Sequence, residues 1–215
     1  MNHPLQGYTA EQVRAAERPL LDAGVPLMRR AATALAAELR ALARRTVLAL
    51  VGPGDNGGDA LFAVAELAGE GIIVTVVPVA DRMHEAAAEA ARAAGVRFAD
   101  AGDAAALAAS ADAVVDGILG IGSTGPLRGT ARATVAALLP ALDRESRPVV
   151  VAVDLPSGVG ADDGTTDGLV LPADLTVTFG AVKAGLLLEP GSRYAGRVVL
   201  VDLGLRIEGP PTVVG

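Results

Sequence analysis

Short apolar runs alternate with stretches of helical periodicity along most of the chain. The runs that predict strands, rich in Val, Leu and Ile, lie at about 46–51, 72–78, 113–116, 148–153, 175–179 and 197–201. Stretches rich in Ala and Leu, which predict helices, separate the earlier runs at 59–69, 85–94, 104–109 and 130–142. Strands that alternate with helices in this way favour an α/β fold built on a mainly parallel, doubly wound sheet.

Two more helices are predicted before the first strand. Thr9 and Gln12 fit a capping box, in which the hydroxyl and the amide side chain each satisfy a free backbone N–H at the start of a helix. A second helix is predicted from about 25 to 42, where leucine and alanine recur at helical spacing. Because both helices precede the sheet, we expect them to cover a sheet face or a partner subunit.

Length and composition indicate one domain with an aliphatic core. A chain of 215 residues is too short for two domains of ordinary size. We assign residues 1–207 to the domain and 208–215 to a tail or linker, because the segment from Glu208 to Pro211 has a linker-like composition. Hydrophobic residues make up 51% of the chain and aromatic residues only 2%. The core must therefore pack Ala, Val, Leu and Ile against buried strands.

Charge and hydropathy exclude some classes of binding partner. A net charge of −7 argues against nucleic acid, whose phosphates require a basic face. No apolar run reaches the roughly 20 residues of a membrane span. The first residues lack the basic and apolar regions of a signal peptide. We therefore expect a cytoplasmic protein that binds a small molecule and no membrane.

The reactive side chains available are few. The chain has no cysteine, which excludes disulfides, thiolate nucleophiles and thiolate zinc sites. Its two histidines, His3 and His84, are both predicted to be exposed to solvent. Any chemistry therefore falls to carboxylates, hydroxyls, amides and lysine.

Glycine and proline concentrate after the predicted strands, at 52–54, 117–126 and 155–158. Ligands of open α/β sheets bind outside the carboxyl ends of the strands, so these loops locate the expected site. The pattern G-x-G-x-x-G, typical of a dinucleotide-binding turn, begins at Gly52 and again at Gly120. At least one of the two matches is therefore not the first dinucleotide turn.

Two carboxylates change the interpretation of the first glycine turn. Asp55 and Asp59 flank the predicted helix start, where their charge would repel a diphosphate. Carboxylate and amide oxygens on a sharply turning backbone suit a hard cation or ligand hydroxyls better. The second glycine turn is then the better candidate to meet phosphates. The alternative is that Asp59 only caps the helix, stabilised by its dipole.

Further polar candidates follow later strands. Asp116 and Asp154 each end a predicted strand, and Ser157 lies three residues beyond Asp154. Lys183 has small and apolar neighbours, where a semi-buried ammonium can pair with a carboxylate, bind an anion or take part in proton transfer. The alternatives are that the first three only stabilise turns and that Lys183 forms a structural ion pair.

Four segments occur in order: VGPGDNGGD at 51–59, VDGILGIG at 115–122, AVDLPSG at 152–158 and VTFGAVKAGL at 177–186. Together they resemble the successive signatures of the YjeF N-terminal domain, the family that contains the NAD(P)H-hydrate epimerases. The resemblance implies a Rossmann-like three-layer α/β/α sandwich, commonly dimeric. It also implies interconversion of the R and S forms of NADHX and NADPHX, the hydrated reduced nicotinamide cofactors, in nicotinamide nucleotide repair. In many bacteria the domain is fused to an ATP- or ADP-dependent dehydratase.

The same resemblance implies site residues. Asn56, Asp116 and Ser157 would help to hold a potassium ion, a hard cation suited to oxygen ligands. The residues implied to bind substrate are Asp55, Asn56, Gly57, Gly58, Asp59, Gly120, Ile121, Gly122, Ser123, Thr124, Gly125, Pro126 and Asp154. We expect Asp154 to act as the acid/base, with Lys183 as its electrostatic or proton-relay partner.

Two other functions stay open on the sequence. One is a non-catalytic nucleotide-binding or interaction module, which the intact carboxylates disfavour. The other is an NAD-dependent dehydrogenase, disfavoured by the acidic residues in the first glycine turn and by the shortage of histidine.

Overall fold

A parallel sheet lies at the centre of the computed structural model, which describes residues 4–122 and 125–215. The strands are β1 (Gln6–Tyr8), β2 (Thr46–Val51), β3 (Ile73–Pro78), β4 (Arg97–Phe98), β5 (Ala113–Gly117), β6 (Val149–Val153), β7 (Leu175–Phe179), β8 (Val182–Lys183), β9 (Arg197–Val201) and β10 (Val213–Val214). The helices are α1 (Ala10–Asp22), α2 (Leu27–Ala41), α3 (Asp55–Gly69), α4 (Glu85–Ala93), α5 (Ala104–Ser110) and α6 (Gly129–Leu142).

The predicted strands and helices are all present. The ends of most elements lie within two residues of the predicted ones, and Thr9 and Gln12 form the predicted capping box at the start of α1. α3 begins at Asp55, four residues earlier than predicted, because the segment through Gly58 coils into its first turn. Sequence reasoning missed β1, β4, β8 and β10, which are two or three residues long and too short to show a periodicity.

Helices cover both faces of the sheet. Within the described residues, the order of the central sheet is β4-β3-β2-β5-β6-β7-β9, with every pairing parallel. One core joins α2, α3 and α4 to the face of β2 that carries Ala49. The other joins α5 and α6 to the face that carries Leu48. The predicted three-layer α/β/α sandwich is confirmed.

The direction of winding reverses beside β2. The chain runs from β2 outward to β3 and β4, and then returns to the other side of β2 to place β5. The carboxyl ends of β2 and β5 therefore border the topological switch point, where open α/β sheets bind ligands. The two glycine-rich loops, from Gly52 and from Gly117, leave the sheet at this point.

A small second sheet joins both ends of the described chain, in the order β10-β1-β8. Residues 208–215, predicted from sequence to be a tail or linker, contribute β10, which pairs with β1 in antiparallel fashion. The Gln12 amide of α1 donates to the carbonyls of Glu208 and Pro210 at 3.3 and 3.1 Å. On its other edge β1 places Tyr8 beside Lys183 of β8.

The structure describes one of the two histidines. Of the two histidines, His84 is not exposed as predicted: it is half-buried at the start of α4, where its Nδ1 accepts from the Ala87 N–H at 3.3 Å. His3 lies outside the described residues.

Across residues 4–122 and 125–215, no helix combines the length and the hydropathy needed to cross a bilayer.

Candidate active site

A cavity of about 770 Å³ opens at the switch point. Its walls come from the loop after β2, the loop after β5, the ends of β6 and β7, strand β8 and helices α1 and α2. This volume lies within the range of cavities that hold drug-sized ligands and cofactors. The residues predicted from sequence to form a site that line it are Asp55, Asn56, Asp59, Gly120, Ile121, Gly122, Asp154 and Lys183.

Asp116 and Ser157 form a hydrogen-bonded unit beside this cavity. Asp116 belongs to the end of β5 and is fully buried. Its carboxylate accepts from the Ser157 hydroxyl at 2.6 Å, from the Ser157 N–H at 2.8 Å and from the Ile118 N–H at 3.2 Å. Burial raises the pKa of Asp116 to about 6, and the hydrogen bonds from Ser157 and Ile118 oppose that rise.

Asn56 and Ser157 both bind the backbone of one residue, Leu119, in the loop after β5. The Asn56 Nδ2 donates to the Leu119 carbonyl at 2.9 Å, and the Leu119 N–H donates to the Ser157 Oγ at 3.0 Å. Three loops that are distant in sequence are thereby joined through Leu119. Asn56, Asp116 and Ser157 are thus brought together, as the resemblance implies for cation ligands.

The side chains of this group fit a monovalent cation. They offer one carboxylate, one amide oxygen and one hydroxyl, a hard donor set without nitrogen or sulfur ligands. Within the described part of the chain, no lysine, arginine or histidine forms an ion pair with Asp116. No group of three or more His, Cys, Asp or Glu in that part is arranged to hold a metal. One buried negative charge among neutral oxygens suits a single positive charge such as K⁺.

Asp154 and Lys183 form a buried ion pair at the cavity wall. Lys183 is 1% exposed and Asp154 is 6% exposed. The Lys183 Nζ donates to Asp154 Oδ1, to the Phe179 carbonyl at 2.9 Å and to the Thr178 hydroxyl at 3.3 Å. Asp154 Oδ1 also accepts from Thr178 and from the Phe179 N–H. All of these bonds within the described residues use Oδ1, so Oδ2 is available to a ligand in the cavity.

The backbone of Asp154 is strained. Its φ of +70° lies in the left-handed region, which costs a residue with a Cβ on the order of 1 kcal/mol or more. The Asp154 N–H donates to the Val177 carbonyl at 2.8 Å and fixes this conformation against β7. Residues held in this way cluster at functional sites. The alternative that Asp154 only caps its own turn is wrong, since its carboxylate binds β7 and Lys183 instead.

Asp59 lies in the second turn of α3, with one carboxyl oxygen unpaired. The N-cap of α3 is Gly54, so the alternative that Asp59 caps the helix is wrong. The Asp59 Oδ1 is buried and has no hydrogen-bond partner among the described residues. Burial first, and then the charges of Asp154, Asp55 and Glu17, raise the pKa of Asp59 to about 8, while Lys183 opposes the rise. Asp59 therefore holds a proton at neutral pH.

The glycines of the first turn allow close packing of backbone. A Cβ at Gly52 would lie 1.9 Å from the Ile118 carbonyl oxygen, and one at Gly57 would lie 2.2 Å from the Gly52 oxygen. These glycines hold the loops after β2 and β5 together. Gly57 and Gly58 are buried in the first turn of α3 and do not line the cavity.

The described residues of the second glycine turn line two different cavities. Gly120, Ile121 and Gly122 line the main cavity, whereas Gly125 and Pro126 line a neighbouring one of about 180 Å³. Ser123 and Thr124, also predicted to bind substrate, lie outside the described residues.

Helix α1 contributes wall residues that sequence reasoning missed. Arg14, Glu17 and Arg18 lie on the cavity side of the helix, and an Arg14 N–H donates to the Ile121 carbonyl. Burial, the largest cause, raises the pKa of Glu17. The only signal in the sequence is their spacing of three and four residues, which places them on one helix face.

An open parallel sheet with helices on both faces and a cavity at its switch point is typical of the doubly wound α/β class of proteins. Comparison with known families identifies the family within this class. The family described as "YjeF-related protein N-terminus" matches residues 24–185, and the chain belongs to this family. Helix α1 lies before the matched residues.

Curated relatives share this sequence over most of its length. The chain is 56% identical to an NAD(P)H-hydrate epimerase of Clavibacter michiganensis, covering 97% of this chain and 94% of the relative. It is 56% identical to one from Microbacterium testaceum, covering 92% and 78%. A bifunctional NAD(P)H-hydrate repair enzyme Nnr of Mycobacterium tuberculosis is 43% identical over 92% of this chain, which spans 41% of that protein. The crystal structure of yeast ynu0, YNL200c, superposes with a TM-score of 0.73 at 17% identity, covering 91% of this chain and 87% of the yeast chain, and shows the same fold.

Proposed function

We propose that this protein is an isomerase that interconverts the R and S forms of NADHX and NADPHX and so serves nicotinamide nucleotide repair. The observation that carries the proposal is 56% identity to an NAD(P)H-hydrate epimerase over nearly the whole of both chains. The cavity at the switch point, with a buried acid/base pair in its wall, supplies the chemistry that this reaction requires.

The reaction inverts a carbon that bears both a hydroxyl and the ring nitrogen. Inversion proceeds by loss and re-addition of water or by ring opening and reclosure. Each route requires proton transfer to or from oxygen, which a positioned carboxylate catalyses. We assign this transfer to Asp154, whose Oδ2 is available to the cavity, and the positioning of its charge to Lys183.

We further propose that Asn56, Asp116 and Ser157 hold a potassium ion. Support comes from the fully buried Asp116 carboxylate, which lacks a cationic partner within the described residues, and from the oxygen donors around it. A bound potassium ion would neutralise this charge and fix the loops after β2, β5 and β6. The residues themselves already hold these loops through Leu119.

We place the phosphates of the dinucleotide near the second glycine turn and α1. The lining of the cavity also carries Asp55 and Asp154, whose charges disfavour a diphosphate. Arg14 and Arg18 bring two positive charges to the wall beside Ile121. Backbone N–H groups of a glycine-rich turn bind phosphate without net charge.

The homodimer and the cytoplasmic location stay predictions, which light scattering and cell fractionation test. The bifunctional relatives suggest that the epimerised product passes to an NAD(P)H-hydrate dehydratase. Since this chain aligns with only part of those relatives, we propose that the dehydratase acts with it as a partner or as a fused domain.

Chiral chromatography of NADHX epimers tests the main proposal. Purified R-NADHX is incubated with and without the protein, in potassium buffer and in a potassium-free buffer of equal ionic strength. The expected result is fast equilibration with the protein, and faster equilibration in potassium than without it. Equal rates with and without protein in every buffer contradict the epimerase. Near wild-type turnover in Asp154→Asn removes Asp154 from the proposed role.

A further inference from the structure

We propose that Asp59 is a second catalytic residue, which exchanges a proton with the C6 hydroxyl on one face of the hydrated nicotinamide ring while Asp154 acts on the opposite face. This inference rests on the proposed epimerase function and deepens it. It begins from the unpartnered oxygen of Asp59, which the Asp154–Lys183 pair does not explain.

The first support is the missing hydrogen bond. Buried polar atoms in native proteins are almost always paired, and an unpaired one calls for an explanation, of which a catalytic role is one. Among the described residues, Asp59 Oδ1 is the one buried side-chain oxygen or nitrogen without a partner. Asp59 also lines the cavity, so its carboxyl group is in reach of a ligand there. A carboxyl group in this wall, with one oxygen that the described residues leave unpaired, is in place to exchange a proton with a substrate oxygen.

The second support is the position of the two carboxyls. Asp59 is carried by α3, which follows β2, whereas Asp154 follows β6 directly. β5 lies between β2 and β6 in the sheet, so the two strands are about 10 Å apart. A nicotinamide ring bound between Asp59 and Asp154 would present one face to each carboxyl group.

The third support is the contrast in environment. Asp154 Oδ1 accepts hydrogen bonds from Lys183, from the Thr178 hydroxyl and from the Phe179 N–H. Asp59 Oδ1 has no donor within the described residues. The Asp59 carboxyl faces the charges of Asp154, Asp55 and Glu17, with Lys183 the cation opposing them, and its pKa is about 8. Two carboxyl groups with such different surroundings in one cavity are the arrangement that divides acid and base roles. Asp59 is therefore the acid of the pair at neutral pH.

The chemistry balances without a further reactant. Asp59 gives its proton to the C6 hydroxyl as the C6–O bond breaks, and the lone pair of N1 forms the N1–C6 double bond. Water leaves, and a water molecule on the other face forms a new C6–O bond while its proton passes to Asp154. The electrons of the N1–C6 double bond return to N1. The product has the opposite configuration at C6. The reverse reaction begins with the proton on Asp154 and with Asp59 ionised.

The pH dependence of turnover tests this inference. In the wild type, kcat for epimerisation, after subtraction of the spontaneous rate, should fall as the pH rises through about 8, because Asp59 loses its proton. Asp59→Asn should lower kcat at pH 7 by about 100-fold or more, the usual contribution of a general acid. NADH, which lacks the C6 hydroxyl, should bind the variant within about threefold of the wild type. The fall in kcat near pH 8 should be absent from the residual activity.

Two further variants serve as controls. Asp59→Glu keeps a carboxyl and should retain the fall in kcat at alkaline pH, with a lower rate. Asp22→Asn removes a negative charge from the rim of the same cavity and should leave the shape of the pH profile unchanged. Loss of NADH binding together with kcat in Asp59→Asn, but not in Asp22→Asn, would make Asp59 a binding residue and overturn the catalytic role.

If a variant does not fold, the pH dependence of kcat in the wild type still tests the inference. A kcat that stays constant from about pH 7 to 9 overturns the role of Asp59. An unchanged alkaline fall in Asp59→Asn also overturns it, while epimerisation by the wild type leaves the proposed function standing. If the wild type does not accelerate epimerisation at all, the proposed function fails instead.

Discussion

Burial gives the same type of side chain different properties at Asp154, Asp116 and Asp59. Lys183 is among the largest fully buried side chains and is tolerated because three acceptors surround its ammonium. Asp116 is buried without a cation among the described residues and relies on Ser157 and backbone N–H groups. Asp59 Oδ1 has neither kind of partner there, so the proton of this carboxyl stays bound. The residue type alone decides none of these states.

The raised pKa of Asp59 predicts a pH-dependent stability. The folded-state pKa of about 8 exceeds the ordinary value of 3.8, so the folded state binds more protons than the unfolded state between these values. The stability that protonated Asp59 contributes is complete below about pH 4 and is lost as the pH rises through about 8. Asp59→Asn cannot ionise and should melt at a higher temperature than the wild type at about pH 9, with a smaller difference at about pH 5. Melting followed by circular dichroism checks this, and a pH-independent difference contradicts it.

Removing Lys183 should destabilise the fold. Lys183→Met leaves the Asp154 carboxylate buried without its cation, and breaking a buried pair on one side costs about 3–5 kcal/mol. The double variant Lys183→Met/Asp154→Leu removes the unpaired charge and should recover part of the loss. Urea unfolding measures both. A double variant that is no more stable than the single one contradicts this account.

At the scale of elements, close contacts between loops decide the shape of the cavity. The loop after β2 contacts the loop after β5 at Gly52, and Leu119 joins both to Ser157. Helix α1 closes one wall and is attached through Arg14 and through the small sheet at its N-terminal end. These contacts connect segments that lie far apart in sequence, and several of the residues that make them also line the cavity.

Two glycines of one motif give a matched test of this contact. In Gly52→Ala the new methyl would lie 1.9 Å from the Ile118 carbonyl oxygen, which is backbone and cannot rotate away. We expect a loss of about 1–3 kcal/mol or more. Gly54→Ala meets nothing within 4 Å and has a φ of −97°, so it should be neutral or slightly stabilising. Equal stabilities of the two variants in guanidinium unfolding would contradict the prediction.

At the scale of the whole molecule, the fold brings distant segments of the chain to one cavity. They include helices α1 and α2, the loop after β2 with the start of α3, the loop after β5, the end of β6, the end of β7 and strand β8. Reversal of winding between β2 and β5 leaves the gap that they surround. The molecule as a whole is acidic, with a net charge of −7, so the proposed potassium ion would also reduce repulsion among its carboxylates.

Potassium should stabilise the folded protein if it binds as proposed. A ligand that binds only the folded state adds about 2.7 kcal/mol at 100 times its Kd, which raises the melting temperature by several degrees for a chain of this size. We expect a higher melting temperature in potassium chloride than in choline chloride of equal ionic strength. Asp116→Asn should lose this difference. Asp112→Asn, which changes a carboxylate bound to Thr46 just before β5, should keep it. Equal melting of the wild type in both salts contradicts the site.

Sequence alone determined the six main strands of the sheet, the order of strands and helices and the loops that border the cavity, because periodicity, capping residues and glycine act locally. The ordered motifs also singled out Asn56, Asp116, Asp154, Ser157 and Lys183 as candidates. Only the tertiary structure decided that α1 forms a cavity wall, that β10 returns to β1, and that Asp59 has a buried, unpaired oxygen. Burial and hydrogen bonding of a side chain depend on residues distant in sequence, and these contacts exist only once the chain has folded.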